Sequence, residues 1–227
     1  MKNCKKHFIV ALIVLTIGQF LVPMTARAQV LEVGGSVGLS YYMGDINPQK
    51  PFCQSSLGWG AMARYYEGTR WAFRFAYSNL QLNCSDEASG YRPERGLSFK
   101  TNIHDFALLA EFNFFDYFTG SKRNGLSPYL FGGLGLSIKT ASGSEVSIPF
   151  GTGLKYSLGQ KFGVAIDWRW NFLLAHDLLA DDDFIDGVKD EDIGNDWFGY
   201  LNFSLTYKFN LPSSSGCNKR ERYKNFD

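Results

Sequence analysis

The feature of this 227-residue sequence that most limits its fold is a period-two alternation of apolar and polar residues, which recurs through most of the chain. In its clearest stretch, residues 162–172, one face carries Phe, Val, Ile, Trp, Trp and Phe, and the other carries Gly, Ala, Asp, Arg and Asn. Such alternation is typical of β-strands, and no segment of useful length shows the 3.6-residue period of a helix. The sequence is therefore predicted to be all-β.

The same pattern predicts eight strands, at about 31–43, 57–66, 71–82, 97–115, 128–140, 146–158, 162–175 and 196–209. The number is even, and most strands reach the ~9–11 residues that a tilted strand needs to cross a bilayer. Residues 29–209 are accordingly predicted to form an eight-stranded antiparallel up-and-down transmembrane β-barrel.

A soluble β-sandwich would show the same alternation, so other features decide between the two folds. Trp and Tyr gather at strand ends, as in the aromatic girdles of membrane barrels: Tyr41, Tyr42, Tyr65, Tyr66, Trp71, Tyr156, Trp197 and Tyr207. Long and short connections alternate, except that 116–127 is long where a turn belongs and 141–145 is short where a loop belongs. The last strand also ends in an alternating aromatic pattern, Tyr207-Lys208-Phe209. These features favour the barrel.

The apolar phase slips within the fourth strand, and we predict a β-bulge near His104 and Asp105 to account for it. An eight-stranded barrel leaves room only for side chains in its lumen, which disfavours a pore. The residues assigned inward include eight with charge: Glu32, Glu111, Asp167, Arg64, Arg74, Lys155, Arg169 and Lys208. We interpret them as a packed polar plug of paired charges, with a proton or ion path as the alternative.

The first 28 residues resemble a cleavable signal peptide. Three lysines precede an apolar run over 8–22, which is too short for a spanning helix, and Ala26-Arg27-Ala28 offers a cleavage site. A retained anchor is the alternative. Cleavage removes four of the 23 basic residues and none of the 22 acidic ones, so the mature chain carries a net charge of −3. Neither this charge nor the +1 of the full chain favours binding to nucleic acid.

Export to an oxidising compartment leaves three cysteines, Cys53, Cys84 and Cys217. If strands two and three pair outward from the turn at 67–70, Cys53 and Cys84 come within one residue of lying opposite each other on the paired strands. This arrangement predicts a disulfide on the external side. Cys217 lies in a flexible basic tail, residues 210–227, beside four cationic residues: Lys219, Arg220, Arg222 and Lys224. We expect this tail to engage a periplasmic partner. A frayed end with a free or capped thiol is the alternative.

No constellation for catalysis stands out. His104-Asp105 and His176-Asp177 are candidates for a lipid-modifying site, but nothing in the sequence orients either pair, so we expect no enzyme activity and no cofactor or metal. The segment 176–195 holds eight carboxylates opposed by one lysine. Such density suits Ca²⁺, although the spacing is not that of an EF-hand, and a solvated acidic loop is the simpler interpretation.

Seven strings, taken in order, resemble the PorG family of Bacteroidetes outer-membrane proteins; they lie at 40–48, 97–103, 111–114, 127–133, 147–151, 196–198 and 205–209. The resemblance implies a barrel component of the type IX secretion system, which also serves gliding motility. It further implies association with a periplasmic ring lipoprotein like PorK and its partner like PorN, and no enzyme activity. The short segment 141–145 and the acidic last loop depart from the family pattern. A small barrel that binds or modifies lipid or an external ligand is the alternative function.

The first string, Tyr-x-Gly-Asp-x-Asn-Pro over residues 42–48, also has a physical interpretation. Glycine can adopt positive φ, Asp and Asn can bond the turning backbone, and proline ends strand pairing. We therefore expect the string to shape the exit turn of the first strand.

Overall fold

A computed structural model describes residues 30–44, 47, 50–90, 94, 96, 98–121, 124–139, 143–174 and 197–210 of the chain. Eight strands make up nearly all of it: β1 Val30–Met43, β2 Ser56–Glu67, β3 Trp71–Ser85, β4 Ser98–Asn113, β5 Leu126–Lys139, β6 Ser144–Leu158, β7 Phe162–Leu173 and β8 Trp197–Asn210. A single helical turn, α1 (Asp86–Ser89), follows β3.

The strands form a closed antiparallel barrel in which each strand pairs with the next and β8 returns to β1. The closing pair is registered along the whole of β1, from Val30 opposite Asn210 to Met43 opposite Trp197. The predicted up-and-down barrel is therefore confirmed, with strand ends within a few residues of those expected. Closure pairs every strand on both sides through the wall of the barrel, which is the condition for a sheet to lie in lipid.

Burial in the barrel is inverted relative to that of a soluble domain. Leu57, Leu108 and Leu134 on the outer face are between 64% and 79% exposed, whereas Glu32, Arg64 and Glu111 inside are almost fully buried. Alternation along each strand produces this arrangement, because successive side chains point to opposite faces. Apolar side chains on the outside suit a lipid environment. Among the described residues, no helix is long and apolar enough to cross a membrane.

Small residues inside the barrel make room for large ones. A Cβ atom added to Gly153 would lie 2.7 Å from Cζ of Tyr129, and one added to Gly151 would lie 2.6 Å from Cζ of Phe131. These glycines therefore let two aromatic rings from β5 lie against β6. The lumen is filled by such interlocking side chains, as expected for a barrel of eight strands.

The predicted bulge in β4 is wrong. The register of β4 with β3 runs without interruption from Trp71 opposite Phe112 to Ser85 opposite Ser98, and the register with β5 is likewise continuous past His104 and Asp105. The apolar phase slips for another reason. Ile103 points inward into an apolar cluster, whereas Phe106, Leu108 and Phe112 on the same strand face outward.

The predicted aromatic girdle is only partly present. Tyr42 and Tyr66 point into the barrel and are buried, because each directly follows an outward-facing tyrosine and neighbours on a strand alternate. Tyr41 does face outward, but its ring crosses Gly199 of β8 and its hydroxyl accepts a 2.6 Å hydrogen bond from Nε1 of Trp168. Phe52 covers it, with ring centroids 4.4 Å apart.

The two ends of the barrel differ in the connections and chain termini that they carry. The terminal end contains the start of β1, the end of β8 and the connections 68–70, 114–125 and 159–161. The loop end contains the connections 44–55, 86–97, 140–143 and 174–196.

Candidate functional site

The centre of the barrel contains a network of buried ion pairs, termed here the lumen network. Its members are Glu32, Arg64, Arg74, Glu111, Lys155 and Asp167. Glu111 of β4 is the hub: it lies 2.9 Å from Nε of Arg64, 2.8 Å from Nε of Arg74, and also pairs with Nζ of Lys155. Three cations from β2, β3 and β6 thus converge on one carboxylate, which compensates charges that are costly to bury alone.

Each end of the lumen network is anchored by a second carboxylate. Glu32 accepts hydrogen bonds from Arg64 and from the hydroxyl of Tyr66, both at 3.1 Å. Asp167 accepts from Nη1 of Arg74 at 3.2 Å and from the hydroxyl of Tyr129 at 3.1 Å. The network therefore joins β1, β2, β3, β4, β6 and β7 through the interior, which stiffens the barrel across its width.

A separate ion pair lies between the network and the loop end. Nη2 of Arg169 is 3.0 Å from Asp105 and donates to the hydroxyl of Ser78 at 3.2 Å, while Ser137 donates to the same carboxyl group at 3.0 Å. Asp105 is fully buried. The bulge predicted at His104 and Asp105 gave no expectation of this inward pair.

The connection between β4 and β5 closes the terminal end. Residues 114–121, termed the cap, turn back into the mouth of the barrel, where Tyr117 and Thr119 are buried. Thr119 donates to Glu32, and its carbonyl accepts from Nζ of Lys208. The Tyr117 ring stacks on Tyr66 with centroids 5.9 Å apart.

The outer part of the cap is tied to a neighbouring turn. Nε of Arg70 and the hydroxyl of Thr69 donate to Asp116 at 2.9 and 3.1 Å, and these hydrogen bonds lower the pKa of the exposed Asp116 carboxyl group. Burial raises the pKa of Tyr117 to about 12, so this phenol stays neutral inside the cap. The unusual length of the connection 116–127 was the one sequence signal for the cap.

An apolar cluster, termed the loop-end core, fills the other end. It consists of Tyr42, Leu80, Leu82, Cys84, Ile103, Leu173, Phe198 and Tyr200, all buried inside the barrel. Together the cap, the lumen network and the loop-end core obstruct the lumen along its length. The predicted packed polar plug is therefore confirmed for its central part, and apolar packing completes it at the loop end.

The candidate catalytic pair His104-Asp105 is not assembled in the structure. His104 faces outward, where its Nδ1 lies 2.9 Å from the hydroxyl of Tyr77, while the neighbouring Asp105 points into the lumen. Strand alternation places the two on opposite sides of the wall, so they cannot act as a dyad. His176-Asp177 lies outside the described residues, as does the acidic segment 176–195. Within the described ranges, no group of three or more His, Cys, Asp or Glu could hold a metal ion.

Cys53 and Cys84 are both free thiols in the structure, so the predicted disulfide is not formed there. Cys53 lies half-buried in the first loop, whereas Cys84 is buried in the loop-end core. β2 pairs with β3 from Glu67 opposite Trp71 to Trp59 opposite Asn79. Continued outward, this register keeps Cys53 and Cys84 within one residue of direct opposition, as the prediction requires. A hydrogen bond of 3.0 Å from Gln54 to Ser85 joins the same two segments. The disulfide stays a prediction.

The predicted partner-binding residues, Cys217, Lys219, Arg220, Arg222 and Lys224, lie outside the described residues, as do residues 1–29 with the expected signal peptide. The exit turn can be checked at Asn47. Its amide donates to the carbonyls of Tyr42 and Lys50 at 3.1 and 2.6 Å, and its oxygen accepts from the Lys50 amide at 3.1 Å. Asn47 therefore organises this turn, as expected.

A family sequence model described as "Domain of unknown function (DUF6089)" matches residues 6–217. The chain belongs to the DUF6089 family. That match includes every strand of the barrel, so family membership extends over the whole fold. A search of curated protein sequences finds no match.

Solved structures similar to this DUF6089 barrel include small outer-membrane barrels. The N-terminal barrel domain of Pseudomonas aeruginosa OprF is 14% identical, with 82% of this chain and 100% of that chain covered and a TM-score of 0.44. Neisserial surface protein A is 15% identical, covers 82% and 99%, and has a TM-score of 0.46. OprG from Pseudomonas aeruginosa is 13% identical, covers 82% and 98%, and has a TM-score of 0.44. The fold assignment here depends on the strand register and not on these likenesses.

Proposed function

We propose that this chain is a non-enzymatic outer-membrane barrel that acts as a closed membrane anchor. The observation that carries the proposal is an apolar exterior surrounding a lumen obstructed by the cap, the lumen network and the loop-end core. A blocked lumen offers no route for solutes, so attachment suits this barrel better than transport. In the usual orientation of such barrels, the terminal end faces the periplasm and the loop end faces outside.

The finer proposal is that the anchored assembly is the type IX secretion machinery. Its support is the resemblance of seven ordered strings to the PorG family, which implies a PorK-like ring lipoprotein and a PorN-like partner in the periplasm. The terminal end would then be the partner-facing side. The cap, with Asp116 and Arg70 half exposed at its rim, would form part of that surface.

Deleting the gene tests both levels of this proposal. We expect loss of surface delivery of type IX cargo, restored by the full chain, with the structure of lipid A unchanged. Normal cargo delivery in the deletion strain would remove the secretion role while leaving the membrane anchor intact. Altered lipid A with cargo delivered normally would support a lipid-modifying barrel instead. Fractionation of the same cells checks the outer-membrane location independently.

The basic tail is proposed as a flexible tether, with Lys219, Arg220, Arg222 and Lys224 attracting an acidic surface and Cys217 available for an intermolecular disulfide. Nonreducing gels of wild type and Cys217→Ser test the covalent link, which requires an adduct that the variant loses. Truncation after Asn210 tests the tether as a whole. If ring association and secretion survive the truncation, the tail has no anchoring role.

The disulfide between Cys53 and Cys84 is proposed to form after export, through exchange with an oxidised thiol–disulfide oxidoreductase. That exchange reduces the oxidoreductase as the two thiols are oxidised. The bond would fix the first loop to the end of β3, which Gln54 and Ser85 already join. Nonreducing peptide mapping of protein purified from the outer membrane should recover one linked peptide pair. Recovery of both cysteines as free thiols would reject the bond.

A second candidate function is binding of lipid or an external ligand. The observation in its favour is the polar surface on the outer face of the β3–β4 hairpin.

A further inference from the structure

We infer that the outer face of the β3–β4 hairpin binds the sugars of an outer-leaflet glycolipid. The face, termed the polar hairpin face, consists of Asn79, Gln81, Asn83 and Ser85 on β3 and Ser98, Lys100, Asn102 and His104 on β4. These residues continue the outward positions of both strands beyond Tyr77 and Phe106. The inference goes beyond the anchor role, and it uses the outer-membrane location proposed above only to choose the glycolipid.

The hairpin extends past its neighbouring strands. Among the described residues, β3 pairs with β2 only as far as Asn79, and β4 pairs with β5 only as far as Ile103. The remaining rows, up to Ser85 opposite Ser98, pair β3 with β4 only. Side chains still tie β3 to the wall, because Ser40 of β1 donates to the Gln81 carbonyl at 2.6 Å and Asn83 donates to Ser56 of β2 at 2.9 Å. The tip of the hairpin therefore extends beyond its pairing with β2 and β5, and its outer face can be reached from the loop end, while its inner face is buried in the loop-end core.

The polar hairpin face begins directly above the apolar band. Tyr77 and Phe106 form the last aromatic row on these strands, with ring centroids 5.1 Å apart, and Trp59 packs edge-on against Tyr77 at 5.9 Å. Trp and Tyr favour the membrane–water interface. The next row, Asn79 and His104, consequently lies at the level of lipid headgroups, and the rows above it lie beyond.

The composition of this face indicates its ligand. Four of its eight residues are carboxamides, although Asn is disfavoured in strands, and the face has no carboxylate and a single ammonium group, Lys100. Carboxamides offer donors and acceptors together, which matches the hydroxyl groups of sugars. A phosphate site would instead concentrate Arg and Lys.

Hydrogen bonds orient the side chains of this face. Asn83 donates to Ser56 of β2 at 2.9 Å, and Ser85 accepts from Gln54 at 3.0 Å. The side-chain amide of Asn79 lies 3.2 Å from Nδ1 of His104. The hydroxyl of Tyr77 reaches the same nitrogen at 2.9 Å. Above this row, Gln81 donates to Asn102 at 3.4 Å, a weak bond that a sugar hydroxyl could replace.

The aromatic side chains below the amides complete the site. Trp59 is 56% exposed beside Tyr77, so its ring can lie against the apolar face of a sugar while the amides bind the hydroxyls. Trp59 and Tyr77 mark the lipid side of this surface, and Gln81 and Asn102 mark its outer side. This order matches a glycolipid, in which sugars follow directly on acyl chains.

The test uses the full chain purified in lauryldimethylamine-oxide micelles, which contain no sugar. The probe is core oligosaccharide released from the host bacterium's lipopolysaccharide by mild acid, and calorimetry measures its affinity. We expect wild type to bind and Gln81→Ala/Asn102→Ala to bind at least tenfold more weakly. The control, Ser144→Ala, changes an exposed polar residue at the loop end of β6 and should bind like wild type. Heat-modifiable migration verifies that each variant is folded.

Three outcomes would overturn the inference. The first is no binding of the oligosaccharide by wild type, and the second is equal binding by the double variant. The third is that Lys100→Ala loses binding while wild type binds diphosphorylated lipid A better than the oligosaccharide. The last outcome would indicate phosphate recognition. Because the probe is soluble, the result does not depend on the cellular location. Binding by a protein absent from the outer membrane would reject the anchor and keep the saccharide site.

Discussion

The lower wall of the barrel and the tip of the β3–β4 hairpin use the same two strands with opposite polarity. In the wall, Phe75 and Leu108 face outward while Arg74 and Glu111 are buried inside. In the tip, amides face outward while Leu82 and Ile103 are buried inside. The wall therefore has the polarity of a membrane protein and the tip that of a soluble one. The change occurs between consecutive rows of an uninterrupted register.

The face on which the apolar residues lie, and not the end of a strand, therefore marks where a barrel leaves the membrane. A strand in lipid needs an apolar exterior and can keep charges inside if they are paired. A strand in water needs the reverse, because only burial in its interior then removes apolar surface from water. Each prediction below alters one side of this boundary and uses the other side as its control.

The largest effect is expected at the hub of the lumen network. Glu111→Ala leaves Arg64, Arg74 and Lys155 buried around an empty position, and removing one partner of a buried pair typically costs roughly 3–5 kcal/mol. Urea unfolding in lipid vesicles should reveal the loss. Glu87→Ala, at an exposed site in α1, is the control and should change the unfolding free energy by less than about 0.5 kcal/mol. Equal losses would show that the network does not stabilise the wall.

The next largest loss of stability is expected when apolar packing is removed, and it should differ between the inside and the outside of the barrel. Leu82→Ala removes a fully buried side chain from the loop-end core and should cost about 2–5 kcal/mol, because the interior relaxes only partly around the cavity. Leu108→Ala is the matched change on the lipid-facing wall, where acyl chains can fill the space, so a smaller loss is expected. The same unfolding assay compares them. A larger loss for Leu108 would mean that the loop-end core is loosely packed.

A charge scan along the outer face of β3 locates the boundary directly. Phe75→Arg places a charge in the apolar band and should cost roughly 2–4 kcal/mol if that position lies near the bilayer midplane. Gln81→Arg, on the same face of the same strand but above the boundary, should cost less than about 1 kcal/mol. Unfolding free energies in vesicles measure both. If Gln81→Arg is as costly as Phe75→Arg, the hairpin tip lies in lipid and its polarity needs another explanation.

The strands and their inward charges could be predicted from sequence because both follow from local alternation. Glu32, Arg74 and Lys155 were assigned inward by parity alone, and the structure buries all three. Their partners could not be predicted. Arg64, Glu111 and Lys155 meet from strands that are not neighbours, and their heights depend on the stagger of the closed sheet, which no single strand encodes.

The two errors at the ends of the barrel have related causes. The phase slip in β4 indicates a bulge only if one polarity holds along the whole strand. The inverted tip, with Leu80 and Ile103 inside, shows that this assumption fails outside the membrane. The cap was missed for a different reason. Tyr117 and Thr119 fold into the mouth only through contacts with Tyr66 and Glu32, which are distant in sequence.

The smallest effect is expected at the exposed ion pair between Arg70 and Asp116 of the cap. This pair is compared with the buried ion pairs of Glu111. Hydrogen bonds from Arg70 and Thr69 lower the pKa of Asp116, so the carboxylate stabilises the folded state above its unfolded pKa of about 3.9. That stabilisation is lost as the pH falls from about 4 through the lower folded pKa. Because both side chains are about half exposed, it should be less than about 1 kcal/mol.

Asp116→Asn isolates this contribution. The difference in unfolding free energy between wild type and the variant should be small and constant from pH 7 to pH 5, and should then shrink below pH 4 as wild type loses its charge. High salt should reduce the same difference, since solvent ions screen exposed pairs. A difference of several kcal/mol that resists salt would mean that Asp116 is part of a buried network. The cap would then be held from its outer rim as firmly as from Glu32 within the lumen.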